Sequence, residues 1–147
     1  HVGFWLPVGD AGDFYTLSPR FGGKFLYGLN DNMDIEGNLA YAIMQAKEDW
    51  DGWSASMLEV AGGVRYNFKE NMYFGGGLSL NMFSYEYDWG YGTTIDDTNS
   101  AFALFSSVGV NFRQKSFDID PEVKLHLIDG DIWFTVDCGF NFPIGGK

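Results

Sequence analysis

Acidic and basic side chains recur at every second position in several segments of this 147-residue chain. Between Asp118 and Lys124 they alternate with Ile119, Pro121 and Val123. Alternate residues of a β-strand point to the same side, so this spacing gathers charges on one face. Such a face can form ion pairs, line an ion path or hold an acid–base pair. The residues predicted to form this charge network are Lys24, Glu36, Glu59, Arg65, Glu122, Lys124 and Asp137.

Two functions are compatible with the charge network. Because isolated buried charges are costly, the first is a structural set of ion pairs that fills the inside of a barrel. The second is a gate whose rearrangement opens a narrow ion path. A hairpin at Asp129-Gly130 would place Glu122 opposite Asp137, with Lys124 diagonal to both, which favours pairing.

Signals for catalysis are weak. His126 is the candidate base and could pair with Asp120 or Glu122, but no serine is placed to act as its nucleophile. The chain contains no CxxC, HExxH or EF-hand spacing, and its one cysteine is Cys138. We therefore predict no catalytic residues, no metal site and no cofactor, and expect a protein that is not an enzyme.

Acidic and aromatic residues gather in two polar segments, 46–53 and 86–99. Exposed Trp and Tyr suit contacts with sugars or proteins, and carboxylates could share divalent ions with lipopolysaccharide phosphates. In the competing interpretation, the tryptophans form a membrane-interface belt and the acids keep the loops solvated. The candidate partner or ligand surface consists of Trp50, Trp53, Tyr87, Trp89 and Tyr91.

The elements that would carry these residues are β-strands. In residues 57–68 one face carries Leu, Val, Tyr and Phe, and the other carries Glu, Ala, Gly, Arg and Asn. Small polar residues suit the crowded inside of a narrow barrel better than a surface in water. The sequence therefore predicts an inside-out barrel. Its eight predicted strands span residues 2–8, 20–29, 33–45, 54–68, 72–87, 100–113, 117–127 and 131–142.

The connections between these strands alternate in length. Short turns at 30–32, 69–71 and 114–116 would lie at one end of the barrel. Longer loops would lie at the other end, where only 128–130 is short. This arrangement is typical of outer-membrane barrels with periplasmic turns and extracellular loops, and it predicts that both termini are periplasmic.

Composition agrees with a single transmembrane β-barrel domain over residues 1–147. The chain has 20 Gly, 14 Phe and only 4 Pro, and no predicted lipid-facing strand position is charged. A mean hydropathy of −0.13 suits strands in which every second residue faces lipid. No apolar run reaches the roughly 18 residues of a transmembrane helix. The net charge of −11 argues against a nucleic-acid partner.

The chain resembles the OmpA-like eight-stranded outer-membrane barrels of Gram-negative bacteria. The segments that carry the resemblance are GFWLPVGD at 3–10, GGKFLYGLNDN at 22–32, GGGL at 75–78 and GFNF at 139–142. The resemblance implies an all-β, antiparallel, up-and-down barrel in the outer membrane, with a polar filled lumen and an apolar exterior. The family usually ends on an aromatic residue, whereas PIGGK follows Phe142 here.

The main rival fold is a soluble, lipocalin-like barrel that would bind a ligand with its apolar face turned inward. We predict instead a small integral outer-membrane barrel with a structural or partner-docking role through its loops. A narrow gated channel for ions or small solutes is the alternative. The expected partners are outer-membrane lipids, including lipopolysaccharide, and a protein bound at the loops or within the membrane.

Overall fold

β-Strands make up most of the described chain. The computed structural model describes residues 1–8, 11–44, 46, 53–88, 94–114 and 116–142. Its strands are β1 (Val2–Pro7), β2 (Ser18–Asn30), β3 (Met33–Met44), β4 (Trp53–Lys69), β5 (Met72–Asp88), β6 (Thr94–Val110), β7 (Phe112–Arg113), β8 (Asp118–Ile128) and β9 (Asp131–Asn141). A short helix, α1, spans Ala11–Phe14. No helix among these residues is long and apolar enough to cross a membrane.

The strands close into an eight-stranded antiparallel barrel. Strands β1 to β6 pair in chain order, β6 and β7 both pair with β8, β8 pairs with β9, and β9 pairs with β1. Strands β6 and β7 act as one, since both pair with β8 in the same register. The break between them lies opposite Pro121, which has no N–H to donate to a ladder. The predicted fold class is therefore confirmed.

The two ends of the barrel differ as predicted. Turns at 31–32 and 70–71 lie at one end, here called the turn side, together with His1 and Phe142. The β8–β9 hairpin lies at the opposite end, the loop side. It turns through Asp129 and Gly130, whose φ angles of 48° and 93° fit a tight Asp-Gly hairpin turn.

One predicted boundary is wrong. Residues 86–99 were expected to form a loop, but β5 continues to Asp88 and β6 already begins at Thr94. The segment TIDDTNS has polar residues on both faces, so its sequence lacks the alternation that marks a strand facing lipid. Smaller differences occur at the starts of β2 and β4, which lie one or two residues before the predicted positions.

The outward face is apolar and the inward face is polar. Exposed outward residues include Phe21, Phe25, Ile35, Leu39, Val60, Val64, Phe74, Leu78, Phe102, Leu104, Val108, Val123, Leu127, Ile132, Val136 and Phe140. Buried inward residues include Arg20, Glu59, Arg65, Glu122 and Lys124. This orientation is the one predicted, and it is the reverse of a lipocalin-like barrel, so the rival fold is wrong.

An apolar cluster closes the loop side of the lumen, and it is not among the predicted features of the sequence. We call Trp5, Met44, Met57, Phe83, Ile128 and Trp133 the cap. Trp133 packs edge-on against Trp5 and Phe83, with ring centroids 4.9 Å and 5.3 Å apart. Smaller alanines complete the cluster, so the lumen is polar in its middle and turn-side part and apolar at its loop side.

Candidate functional site in the lumen and at the loop-side rim

Arg65 lies at the centre of the charge network. Its Nη2 atom is 3.0 Å from Asp120 Oδ2, 3.3 Å from Glu36 Oε2 and 3.5 Å from Glu122 Oε2. The guanidinium also stacks on the ring of Tyr73, with Cζ 3.6 Å from the ring centroid. One cation therefore holds three carboxylates from β3 and β8 together, and the aromatic face covers it.

Two lysines complete this central cluster. Lys124 Nζ lies 2.8 Å from Glu36 Oε1 and 3.3 Å from Glu122 Oε1. Lys24 Nζ lies 3.0 Å from Glu122 Oε1. Glu36 and Glu122 are thus each shared between cations, so that like charges do not face one another unpaired.

A second cluster lies between the central cluster and the cap. Arg20 contacts Glu59 (Nη1–Oε2, 3.2 Å) and Asp137 (Nε–Oδ1, 3.2 Å). Asn38 donates a 2.6 Å hydrogen bond to Glu59 Oε1. Arg20 is fully buried but is not among the predicted network residues. Its even number, shared with Lys24, was the available signal.

His126 is buried in this second cluster with partners that differ from the predicted ones. Its Nε2 lies 3.4 Å from Thr135 Oγ1 and 4.0 Å from Glu59 Oε2. The expected pairing with Asp120 or Glu122 is wrong, because β8 turns those carboxylates towards Arg65 and Tyr73 at a lower level of the lumen.

The structure brings all seven predicted network residues into the lumen. The register places Glu122 opposite Asp137, as the hairpin predicts. With Arg20 and Asp120 added, four cations face five carboxylates, and none of these side chains is more than 5% exposed. Side chains rather than an open channel therefore occupy the middle of this barrel, as expected for eight strands.

Among the residues that the structure describes, none closes the turn-side mouth of the barrel. A cleft of about 700 Å³ there reaches Arg65 from the side of the turns, between Asp34, Asn67 and Asn111. At the other end the cap covers the charge network. Water can therefore approach the network from the turn side, and the cap is the barrier on the loop side.

The predicted partner surface is only partly described. Trp50, Trp89 and Tyr91 lie outside the described residues. Trp53 and Tyr87 pair with one another in the β4–β5 ladder at the loop-side ends of their strands. The aromatic positions at 53 and 87 therefore belong to strands rather than to loops.

The same end of the barrel carries a hairpin that projects beyond β8. It consists of residues 94–102 of β6 and the residues of β5 that pair with them, 80–88, and is here called the projecting hairpin. Pairing between β6 and β8 begins only at Ala103 and Ile128. Residues 94–102 of β6 pair with β5 and have no strand on their other side among the described residues. At about 3.3 Å per residue, this free edge is roughly 30 Å long.

Tyr73 provides a test of how tightly the lumen is packed. Its hydroxyl group has one hydrogen to donate and lies within hydrogen-bonding distance of both Asp120 Oδ1 and Glu122 Oε2, and a Cβ atom on Gly109 would overlap its ring and hydroxyl group. We expect Gly109→Ala to displace the ring from Arg65 and to lower the free energy of unfolding by about 1–3 kcal/mol. Urea-induced unfolding in lipid vesicles measures this change.

Gly62→Ala is the matched control for this prediction. A Cβ atom at outward-facing Gly62 meets nothing within 4 Å, so the control should change the stability little. Equal stability of the two variants would contradict the packing of Tyr73 against Gly109.

Comparison with known proteins identifies the fold. No protein-family model matches the chain, and no curated protein matches its sequence. The chain is structurally similar to Ail, the attachment invasion locus protein of Yersinia pestis, in complex with the heparin analogue sucrose octasulfate. The TM-score is 0.69 at 16% identity, over 96% of this chain and 94% of that chain.

Two further structures of Ail are similar to this chain. The first is a crystal structure of Ail, with a TM-score of 0.64 at 17% identity over 96% of this chain and 93% of that chain. The second is the backbone structure of Ail, named there as an outer membrane protein, in a phospholipid bilayer nanodisc. Its TM-score is 0.59 at 16% identity, over 96% of each chain. The chain therefore has the fold of small outer-membrane β-barrels.

Proposed function

We propose that this protein is an integral outer-membrane barrel that docks an extended, basic polypeptide at the free edge of its projecting hairpin. Membership of the OmpA-like family and a periplasmic position of both termini are parts of this proposal. So are contacts with outer-membrane lipids such as lipopolysaccharide, and the absence of catalysis. The free edge of β6 is the observation that carries the docking function.

The distribution of polar and apolar residues supports the location. An apolar exterior of this extent would be costly in water, whereas a lipid bilayer requires it. A closed barrel also satisfies the backbone hydrogen bonds that a bilayer cannot satisfy. The similarity to Ail, which has been studied in a bilayer nanodisc, supports the same conclusion.

The backbone of β6 supports strand addition. Asn111 N donates to Asn71 O, so odd-numbered residues of β6 bond to β5 and even-numbered residues direct their N–H and C=O groups to the other side. Between residues 94 and 102 the backbone groups of Thr98 therefore face the free edge, as do those of Ser100, whose N–H donates to Asn99 Oδ1 at 2.8 Å. An extended peptide can pair with such groups as an additional strand.

Charge supports a basic partner. The edge includes Asp96 and Asp97, and the whole chain has a net charge of −11. Ail was crystallised with a heparin analogue, which is polyanionic, but the acidic edge of this chain would repel such a ligand. A lysine-rich segment is the complementary partner.

The filled lumen weighs against a channel that is open at rest and leaves the gated channel as the alternative function. The charge network occupies the middle of the barrel and the cap covers its loop side. A resting ion path would have to pass both. This arrangement supports a structural and docking role for the barrel in its resting state.

Leu104→Arg tests the location. Leu104 faces outward near the middle of β6 and is 59% exposed. If lipid covers this position, a buried arginine should lower the free energy of unfolding by about 2–4 kcal/mol. Urea titration in phospholipid vesicles measures the change. Ser84→Arg, on the outward face of the projecting hairpin, is the control and should have little effect; equal losses at the two positions would argue against a lipid-covered belt.

Thr98→Pro tests the docking edge. Proline removes the edge-facing N–H of residue 98 but leaves the bonds between β5 and β6, so it should block an added strand. We expect an alternating Lys-Thr decapeptide to bind the wild type in nanodiscs and to bind Thr98→Pro about tenfold more weakly, measured by biolayer interferometry.

Thr98→Val controls for the side chain, because it removes the hydroxyl group and keeps the N–H. It should bind the peptide like the wild type. Loss of binding in both variants, or in neither, would contradict pairing through the backbone of the free edge.

A further inference from the structure

The cap is attached to the projecting hairpin. Phe83 belongs to the part of β5 that pairs with residues 94–102 of β6, since Phe83 is the register partner of Asn99. Its ring lies inside the lumen mouth and is 5% exposed. A residue of the proposed docking hairpin is thus also a residue of the cap.

The contact between Phe83 and Trp133 spans a gap in the barrel wall between residues 94–102 of β6 and the β8–β9 hairpin. We call this gap the seam. Beyond Ala103, strand β6 has no ladder to β8, so in the described chain no backbone hydrogen bonds join the projecting hairpin to the β8–β9 hairpin there. Phe83 from one side and Trp133 from the other meet at 5.3 Å with their rings nearly perpendicular. Ring packing therefore connects the two sides of the seam where the ladder ends.

Other rings extend this contact in both directions. Tyr85 lies next to Phe83 with stacked rings 6.2 Å apart, and its register partner on β6 is Asp97. Trp133 packs on Trp5, which in turn contacts Tyr15 at 6.1 Å. A continuous set of aromatic contacts thus leads from the acidic edge to the centre of the cap.

We propose that the cap is a gate coupled to the docking edge. A strand added to residues 94–102 lies in the seam above the β8–β9 turn, where it changes the twist of the hairpin and withdraws Phe83 from Trp133. The charge network, which the turn-side cleft already reaches, is then accessible to water from the loop side as well. This inference rests on the docking function proposed above.

The test uses the full chain labelled with 5-fluorotryptophan in nanodiscs. The ¹⁹F resonance of Trp133 is assigned with Trp133→Phe, and a water-soluble gadolinium chelate reports its exposure to water. In the free protein the resonance should remain sharp, because Trp133 is only 7% exposed. Saturation with the Lys-Thr decapeptide should broaden it several-fold, and an unchanged linewidth at saturation would overturn the coupling.

Phe83→Ala tests the gate without any peptide. Removing the ring should expose Trp133 and broaden its resonance in the free protein. Phe105→Ala is the matched control, because Phe105 is also a buried lumen ring but packs against His126 and Lys124, below the cap. An unchanged Trp133 resonance in Phe83→Ala, or equal broadening in both variants, would overturn the assignment of Phe83 as the closing ring.

Interferometry on the same samples separates the two proposals. If the peptide does not bind, the docking function fails and coupling to it fails with it, whereas the Phe83→Ala result still decides whether this ring holds the cap shut. If the peptide binds and Trp133 stays protected, docking stands and the gate is overturned.

Discussion

The ion pairs inside the barrel are the constraint on which the rest of the structure depends. Arg65 holds Glu36, Asp120 and Glu122 at 3.0–3.5 Å in a space that side chains fill. These side chains are buried, at most 5% exposed, so each must find its partners within the lumen. A slip of one residue in any strand would turn its charges outward into the apolar belt. The network therefore helps to fix the register of the whole barrel.

The same constraint explains how the lumen is filled. Charges and hydrogen-bonding groups occupy the middle, where Tyr73 closes the remaining space because Gly109 has no side chain. The loop side is filled by the rings of the cap instead. The barrel thus has a polar part that water can approach from the turns and an apolar part that seals the other mouth. Docking at the hairpin, as proposed, acts next to the seal rather than on the ion pairs.

The fold could be predicted from the sequence because a barrel with an apolar exterior and a filled polar lumen requires a strict alternation. Where the apolar exterior and the polar lumen lie on opposite faces of a strand, as in residues 57–68, the alternation marks the strand and its orientation. Where the strand projects beyond the apolar exterior of the barrel, as in residues 94–99, both faces are polar and no alternation marks the strand. The cap was missed for a related reason. Trp5, Met57 and Phe83 are apolar residues that face inward, and alternation alone cannot distinguish them from members of an interface belt.

The candidate site was predictable to a similar degree. The alternation of residues between the two faces of a strand identified the charges that meet in the lumen, and the hairpin register placed Glu122 opposite Asp137. It could not identify contacts between strands that are not paired with one another, such as His126 with Glu59 or Arg20 with Asp137. Those depend on the closure and stagger of the barrel, which no single strand encodes.

A double-mutant cycle between Arg65 and Asp120 tests the central claim most directly. The variants are Arg65→Met, Asp120→Asn and the double variant, with the free energy of unfolding measured by urea titration in lipid vesicles. Because the two side chains meet at 3.0 Å in a buried site, we expect each single variant to be destabilised and the double variant to be less destabilised than the sum, by about 2 kcal/mol or more. Additive losses would contradict a lumen held together by paired charges.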